Sequence, residues 1–287
     1  MHTPVLLEEV LQYLAIQPQG RYLDATAGLG GHTRAIAERL TTGQVIAADR
    51  DAESLQLARQ VLGDQGDKIR YLQARFAELG EKLAGQSFHG ILADLGVSRY
   101  QLTEGERGFS VAAEGPLDMR MDRSQPETAA DLVNHLAEEA LAQLIYQLGE
   151  ERRSRKIARA IVRARPIRTT AELARVIEAA VPRTGRLHPA TKTFMALRLA
   201  VNRELEELRA LLELAPQMLA PGGRLVVISF HSLEDRMVKH RFQELARAGR
   251  ARLLTKHVVK PTREEIARNP PSRSARLRAL EIVDRAL

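Results

Sequence analysis

The chain contains no cysteine in its 287 residues. Disulfides and thiolate-bound metals are therefore excluded, and a reducing compartment suits the protein. There is no long apolar run, and the opening MHTPVLLEEVLQYL has no basic stretch ahead of its hydrophobic residues. It predicts neither a signal peptide nor a membrane span, and so a cytosolic protein. Internal repeats and low-complexity tracts are missing too. The dinucleotide fingerprint G-x-G-x-x-G fails, because Thr33 stands where a third glycine would follow Gly28 and Gly30. No G-K-[ST] follows to make a phosphate-binding loop, and no G-x-S-x-G elbow occurs to serve a Ser–His hydrolase. His188, His231 and His240 lack metal-ligand spacing, so no catalytic metal is expected.

What is present reads as an ordinary globular protein, 44% hydrophobic and 28% charged. Its length suffices for one core with an inserted subdomain. The net charge of +7 is unevenly spread: residues 1–105 carry −3, residues 106–205 carry +4, and residues 206–287 carry +6. A positive excess confined to the later part of the chain suits a phosphate-rich partner, the alternative being a solubilising surface.

Hydrophobic patterning predicts strands at 21–25, 44–49, 68–73 and 88–95, separated by helices at 32–40, 51–62 and about 77–84. Thr3 and Pro4 read as N-cap and first residue of an opening helix. From about 105 to 190 the strand rhythm stops, leaving helical stretches such as 138–149 and 171–181. A helical pattern over about 190–215 is expected to end at Pro216. APGGRLVVISF (220–230) restores a strand, a helix covers about 232–247, and 275–283 reads as the last strand. Between these last two, KPTREEIARNPPSRS reads as a polar loop. The pattern is a parallel α/β sheet interrupted by a helical insertion.

Four stretches can carry chemistry. In YLDATAGLGGHTRAIAERL (22–40) a strand turns through Gly28, Gly30 and Gly31 into a helix, where backbone amides approach a ligand closely. Asp49 ends the next strand, placed to accept hydrogen bonds from ribose hydroxyls or, alternatively, to cap the helix beginning at Asp51. Asp94 lies at the carboxyl end of the fourth strand, where open α/β sheets bind ligands, and Phe76 follows the third strand at that edge. In ERRSRKIARAIVRARPIR (151–168), Arg152, Lys156, Arg159 and Arg163 recur at helical spacing, while Ile157, Ala160, Ile161 and Ala164 can face inward. Such a one-sign stripe suits phosphate contact, with no interleaved aromatics for base stacking. In SFHSLEDR (229–236), Ser232 reads as an N-cap, which leaves His231 without a structural role.

These stretches, with DLGVSRYQL (94–102), ERGFSVAAEGPLDMRMD (106–122), HPATKTFMALRLAVNRELEEL (188–208) and NPPSRSARLR (269–278), run nearly the whole chain. In that order they resemble the bacterial 16S ribosomal RNA cytosine-N4 methyltransferases, the RsmH or MraW family. The resemblance implies a class I S-adenosylmethionine-dependent methyltransferase fold, a Rossmann-like sheet whose core comprises 1–105 and 200–287. The inserted helical domain at 106–199 would recognise RNA through Arg152, Lys156, Arg159 and Arg163. It further implies methyl transfer to the exocyclic N4 amine of a decoding-region (P-site) cytidine in the small ribosomal subunit. The cofactor contacts it implies are Gly30, Gly31, His32, Asp49, Phe76, Asp94 and Gln101. Apart from the resemblance, Asp94 or a backbone carbonyl near it is the catalytic candidate that holds the amine, with Asp118 and His231 in reserve. No membrane partner is implied, and a homo-oligomer is left open. Arg99 departs from the serine that relatives often carry after Ser98. DLGV at 94–97 replaces the Asp/Asn-Pro-Pro-aromatic turn of many amino-methyltransferases. Two other classes compete: a nicotinamide oxidoreductase, opposed by the missing third glycine, and a non-catalytic RNA-binding protein, opposed by the retained glycines and Asp49.

Overall fold

The computed structural model describes residues 4–183, 185 and 187–283. The chain divides into two compact units, Met1–Gly96 with Glu206–Leu287, and Val97–Leu205.

The first unit is built on strands β1 (Arg21–Asp24), β2 (Gln44–Asp49), β3 (Ile69–Gln73), β4 (Phe88–Asp94), β5 (Leu219–Ser229), β6 (Ala251–Leu253) and β7 (Arg276–Ile282). They form one sheet in the order β3-β2-β1-β4-β5-β7-β6. The first five run parallel, and β7 runs antiparallel to both its neighbours. Near-continuous apolar strands are what a sheet covered on both faces requires. Successive residues alternate between two cores. Leu23, Ile46, Ile91 and Val227 join Leu79, Leu211 and Phe242, whereas Tyr22, Val45, Leu92 and Val226 join Val10, Ile36 and Leu55. This is the α/β sheet of the expected fold class.

The covering helices are α1 (Leu7–Leu14), α2 (Gly31–Ala37), α3 (Ala52–Leu62) and α4 (Leu79–Lys82). The opening helix begins at Leu7, not at Pro4, because Leu6 takes a left-handed φ of 52°; Thr3 lies outside the described residues. Asp51 caps α3 by accepting hydrogen bonds from the Glu53 and Ser54 amides at 3.1 and 3.4 Å.

The second unit holds α5 (Arg99–Thr103), α6 (Ala129–His135), α7 (Glu138–Gly149), α8 (Ser154–Ala164), α9 (Thr170–Ala180) and α10 (Thr191–Val201). Its core gathers Phe109, Met119, Val133, Ile145, Ile157, Ile177 and Phe194. The unit begins earlier and ends later than the sequence rhythm indicates. Val97 packs on this core, and Asn202 binds the Met121 amide at 2.8 Å and the Met119 carbonyl at 2.7 Å.

Three local expectations give way. The pattern over 190–215 is two helices, α10 and α11 (Glu204–Met218), separated at Arg203, whose φ is 48°. Pro216 lies inside α11, buried with Leu208, Leu211, Leu212 and Ala215, whose packing outweighs the missing N–H. After α12 (Ser232–Arg247), the presumed loop contains α13 (Arg263–Arg268), capped by Thr262, whose hydroxyl accepts the Glu265 amide at 3.1 Å.

Candidate functional site

The central strands β1, β2 and β4 each end in an aspartate, so their parallel pairing collects Asp24, Asp49 and Asp94 at one edge. Beside them the β1–α2 connection turns through Gly28 and Gly30 at φ 51° and 82°. An L residue rarely adopts either value, and a Cβ on Gly30 would stand 2.7 Å from Leu62 Cδ1. Gly31 follows as the first residue of α2.

Asp49 ties two loops together. Its Oδ2 accepts the Gly28 amide at 2.8 Å and its Oδ1 the Asp51 amide at 2.9 Å. It therefore does not cap α3; Asp51 does. Each oxygen retains a lone pair for a further donor. Burial pushes the Asp49 carboxyl up to about 6 against the pull of those two amides, and the Asp51 and Asp24 charges push the same way.

Asp24, 1% exposed, accepts the Thr33 hydroxyl at 2.7 Å and the Thr26 amide at 3.2 Å. Burial raises it too, to about 6, with both threonines opposing. No sequence argument singled it out, although an acid closing the strand before a glycine turn was a visible signal. Its folded value of about 6 lies above the model-peptide 3.8, so the folded state holds a proton that the unfolded chain has lost between those values. That contribution is complete below about pH 3.8 and disappears as pH rises through about 6. At 1.36 kcal/mol per pH unit, Asp24 then opposes folding at neutral pH by up to roughly 3 kcal/mol. Asp24→Asn is expected to stabilise the free protein by about 1–3 kcal/mol at pH 7.5 and to flatten the pH dependence between 4 and 6. Urea unfolding at several pH values measures this; a variant no more stable than wild type at pH 7.5 would refute it.

Asp94 donates its amide to Thr26 Oγ1 at 2.6 Å. Its side chain is 22% exposed overall, with Oδ2 at 3.7 Å from His32 Nδ1, while Oδ1 is buried and has no hydrogen-bond partner among the described residues. Burial raises this carboxyl well above its ordinary value, and the Asp24 and Glu234 charges add to the rise. On the other side of the ring, His32 Nε2 lies 3.0 Å from the Val5 carbonyl. A carbonyl only accepts, so Nε2 carries hydrogen, and the Nδ1 side of the ring faces Asp94.

At the end of β5, Glu234 is 2% exposed and accepts the Phe230 amide at 2.9 Å. His231 lies 3.1 Å from Glu234 Oε1 through Nε2. His231, not Ser232, occupies the N-cap of α12. Asp235 is held by Arg278 at 2.6 and 3.2 Å, which fixes the first turn of α12 to β7. The Glu234 carboxylate is a second element of this edge that sequence reasoning passed over, because it resembles an ordinary first-turn acid.

The structure thus gathers Gly30, Gly31, His32, Asp49 and Asp94 at one edge of the first unit. Phe76 opens a turn just after β3 and is partly buried against the core. Gln101 belongs to the second unit, where its Oε1 accepts the Ser98 amide at 2.9 Å in a capping box. Asp118, also there, is bound by Arg120 at 2.7 and 2.9 Å. Burial tends to raise its carboxyl, but the Arg120 bonds outweigh it and hold the group below its ordinary value. That ion pair removes Asp118 as a candidate base. Among the described residues no cluster of His, Asp and Glu is placed to hold a metal ion, and no helix is long and apolar enough to cross a membrane.

Lys156, Arg159 and Arg163 are exposed on α8, with Arg159 Nε 3.3 Å from Glu138. The inward face is Ile157, Ala158 and Ile161, whereas Ala164 is exposed. Arg152 precedes the helix and so leaves the helical stripe; it lines a surface cavity of about 460 Å³ with Arg153, His188 and Lys192.

These features define an open α/β protein with a candidate ligand site at the carboxyl ends of its central strands. The sequence profile of the MraW methylase family matches residues 1–283, and the chain belongs to that family. It is 61% identical to the ribosomal RNA small subunit methyltransferase H of Solibacter usitatus, over 98% of this chain and 100% of that one. It is 54% identical to the protein of the same description from Koribacter versatilis, over 97% and 93% of the two chains. Among solved structures, a putative rRNA-methylase from Clostridium thermocellum aligns with 99% of this chain and 100% of that one, at 10% identity and a TM-score of 0.49.

Proposed function

We propose that this protein transfers the methyl group of S-adenosylmethionine to the exocyclic N4 amine of a decoding-region cytidine in 16S ribosomal RNA. The observation that carries the reading is the edge where Asp49 and Asp94 flank the glycine turn, in a member of a methylase family. The residues present suit the cofactor. Asp49 keeps lone pairs for ribose hydroxyls. Gly30 and Gly31 bring backbone close without a side chain, and Phe76 offers a ring at the same edge. When bound, S-adenosylmethionine supplies an electrophilic methyl group.

The chain's own task is to position the amine. The cytosine N4 lone pair is delocalised into the ring, so the nitrogen must be held in line for attack. As N4 gains the methyl group it must give up a proton. Asp94 Oδ1, a buried oxygen without a donor among the described residues, accepts one N–H of the amine. His32, its Nε2 engaged by Val5, keeps its ring beside the other oxygen. The exposed cations of the second unit, Arg152, Lys156, Arg159 and Arg163, contact RNA phosphates.

The experiment combines purified protein, methyl-labelled S-adenosylmethionine and small subunits lacking their own methylation, followed by separation of the product nucleosides. Label in N4-methylcytidine is expected; label confined to another nucleoside, or none with cofactor bound, overturns the assignment. Asp94→Asn is expected to slow transfer by about 100-fold or more, because the amide both loses the charge and presents a donor to the amine. Single-turnover rates at saturating cofactor measure this, and full turnover with normal cofactor affinity would remove Asp94 from the reaction.

A further inference from the structure

The segment that joins β6 to β7 contains cations that the fold itself does not use. Lys256, Lys260, Arg263, Arg268 and Arg273 are all exposed. Among the described residues, Lys256, Lys260, Arg263 and Arg273 have neither an ion pair nor a side-chain hydrogen bond. The arginines of the adjoining strands behave differently. Arg224 and Arg252 pair with Glu281 at 3.0 and 2.8 Å, and Arg278 pairs with Asp235 at 2.6 Å. Of the two acids within the segment, Glu264 is exposed, while Glu265 Oε1 accepts the Leu6 amide at 2.7 Å.

Ordering such a polar stretch costs about 1–2 kcal/mol per residue in backbone entropy, and a merely solubilising loop has no need of it. Yet the segment is built throughout. Val259 and Leu277 exchange backbone hydrogen bonds at 3.0 and 2.9 Å, Thr262 caps α13, and Asn269 binds the Glu265 carbonyl at 2.7 Å. Its attachment leads directly to the ligand edge. Glu265 holds the amide of Leu6, and the preceding Val5 carbonyl holds His32 beside Asp94. A Cβ on Gly31 would stand 2.6 Å from Pro4 Cγ, so this N-terminal strap lies against the glycine corner. Cations ordered in advance engage phosphates without paying to be ordered at binding.

We propose that the segment from Lys256 to Arg273 is a contact surface on the first unit for the sugar-phosphate backbone of the RNA substrate, distinct from the basic face of α8. The proposal rests on the reading of an RNA substrate. Through the Glu265–Leu6 bond, the surface is anchored to the strap that positions His32, so RNA bound there is registered against the edge carrying Asp49 and Asp94.

The test uses the full chain and a transcript of small-subunit ribosomal RNA. Acetylation rates of Lys256 and Lys260, followed by mass spectrometry, are expected to fall at least about 5-fold on RNA addition, with Lys68 and Lys239 changing less than about 2-fold. The triple variant Lys256→Glu, Lys260→Glu, Arg263→Glu should bind the transcript at least about 10-fold more weakly than a control of equal charge change, Arg21→Glu, Arg70→Glu, Arg247→Glu. Melting temperatures exclude unfolding. If wild type binds the transcript while both lysines stay reactive, or if the two triple variants bind alike, this surface is overturned and the RNA reading stands. If wild type binds no RNA, both fall.

Discussion

Replacing Asp49 by alanine is expected to weaken S-adenosylmethionine binding by about 100-fold. A hydrogen bond to a charged acceptor contributes about 1.5–3 kcal/mol, and 1.4 kcal/mol is a factor of ten. Loss of the proposed ribose contacts would therefore account for about two decades. The substitution also strips the Gly28 and Asp51 amides of their acceptor, so the glycine turn loses its tie to the β2–α3 loop. Asp49→Asn, which keeps one acceptor oxygen, should fall between the two. Calorimetric titration of cofactor into each variant supplies the affinities. A pH series adds an independent signature. The free carboxyl titrates at about 6, and its protonated form is the weaker acceptor, so wild-type affinity should decline as pH falls from 7 to 5. That decline should shrink in Asp49→Ala. An alanine variant that melts normally and binds within about 3-fold of wild type would remove Asp49 from the cofactor site.

Charge reversal at Arg152, Lys156 and Arg159 is expected to weaken RNA binding by about 100-fold near 0.1 M salt, with cofactor affinity unchanged. The slope of log affinity against log salt should become shallower by about 2 to 3, because each lost phosphate contact removes roughly 0.7–0.9 from it. The three side chains are exposed, and among the described residues only Arg159 has a protein partner, Glu138. Their loss should therefore cost little stability. The buried face of α8, Ile157, Ala158 and Ile161, is untouched. Anisotropy titrations across a salt series give both numbers. An unchanged slope would take phosphate contact away from these residues, and parallel loss of cofactor affinity would mean that the fold had been damaged.

Much of the fold was legible in the sequence. The strands 44–49 and 88–94 are runs of apolar residues closed by an aspartate, and α3 and α12 carry acidic first turns. Such signals are local: a few neighbouring residues contain them, and the chain reproduces them almost unchanged. The failures were equally local rules overruled at a distance. Pro216 should have ended α11, but an apolar face packed on the sheet carries the helix past it. KPTREEIARNPPSRS has no apolar periodicity, and its order comes from Thr262, from the backbone pairing of Val259 with Leu277, and from Leu6, far away in sequence.

By itself the sequence determined the glycine turn, the aspartates that close the strands, the basic run before Pro166 and the family to which they point. Each is carried by residue type and spacing. Only the tertiary structure decided that β1 lies between β2 and β4, and with it that Asp24, Asp49 and Asp94 share one edge, where the Asp24 charge raises the pKa of the other two. Likewise it alone decided that Glu234 joins them, that Asp118 is consumed by Arg120, and that His32 is held by a carbonyl from the strap before α1. Strand order and burial are properties of the packed chain. The desolvation and the neighbouring charges that set an acid's behaviour do not exist until the core has closed around it.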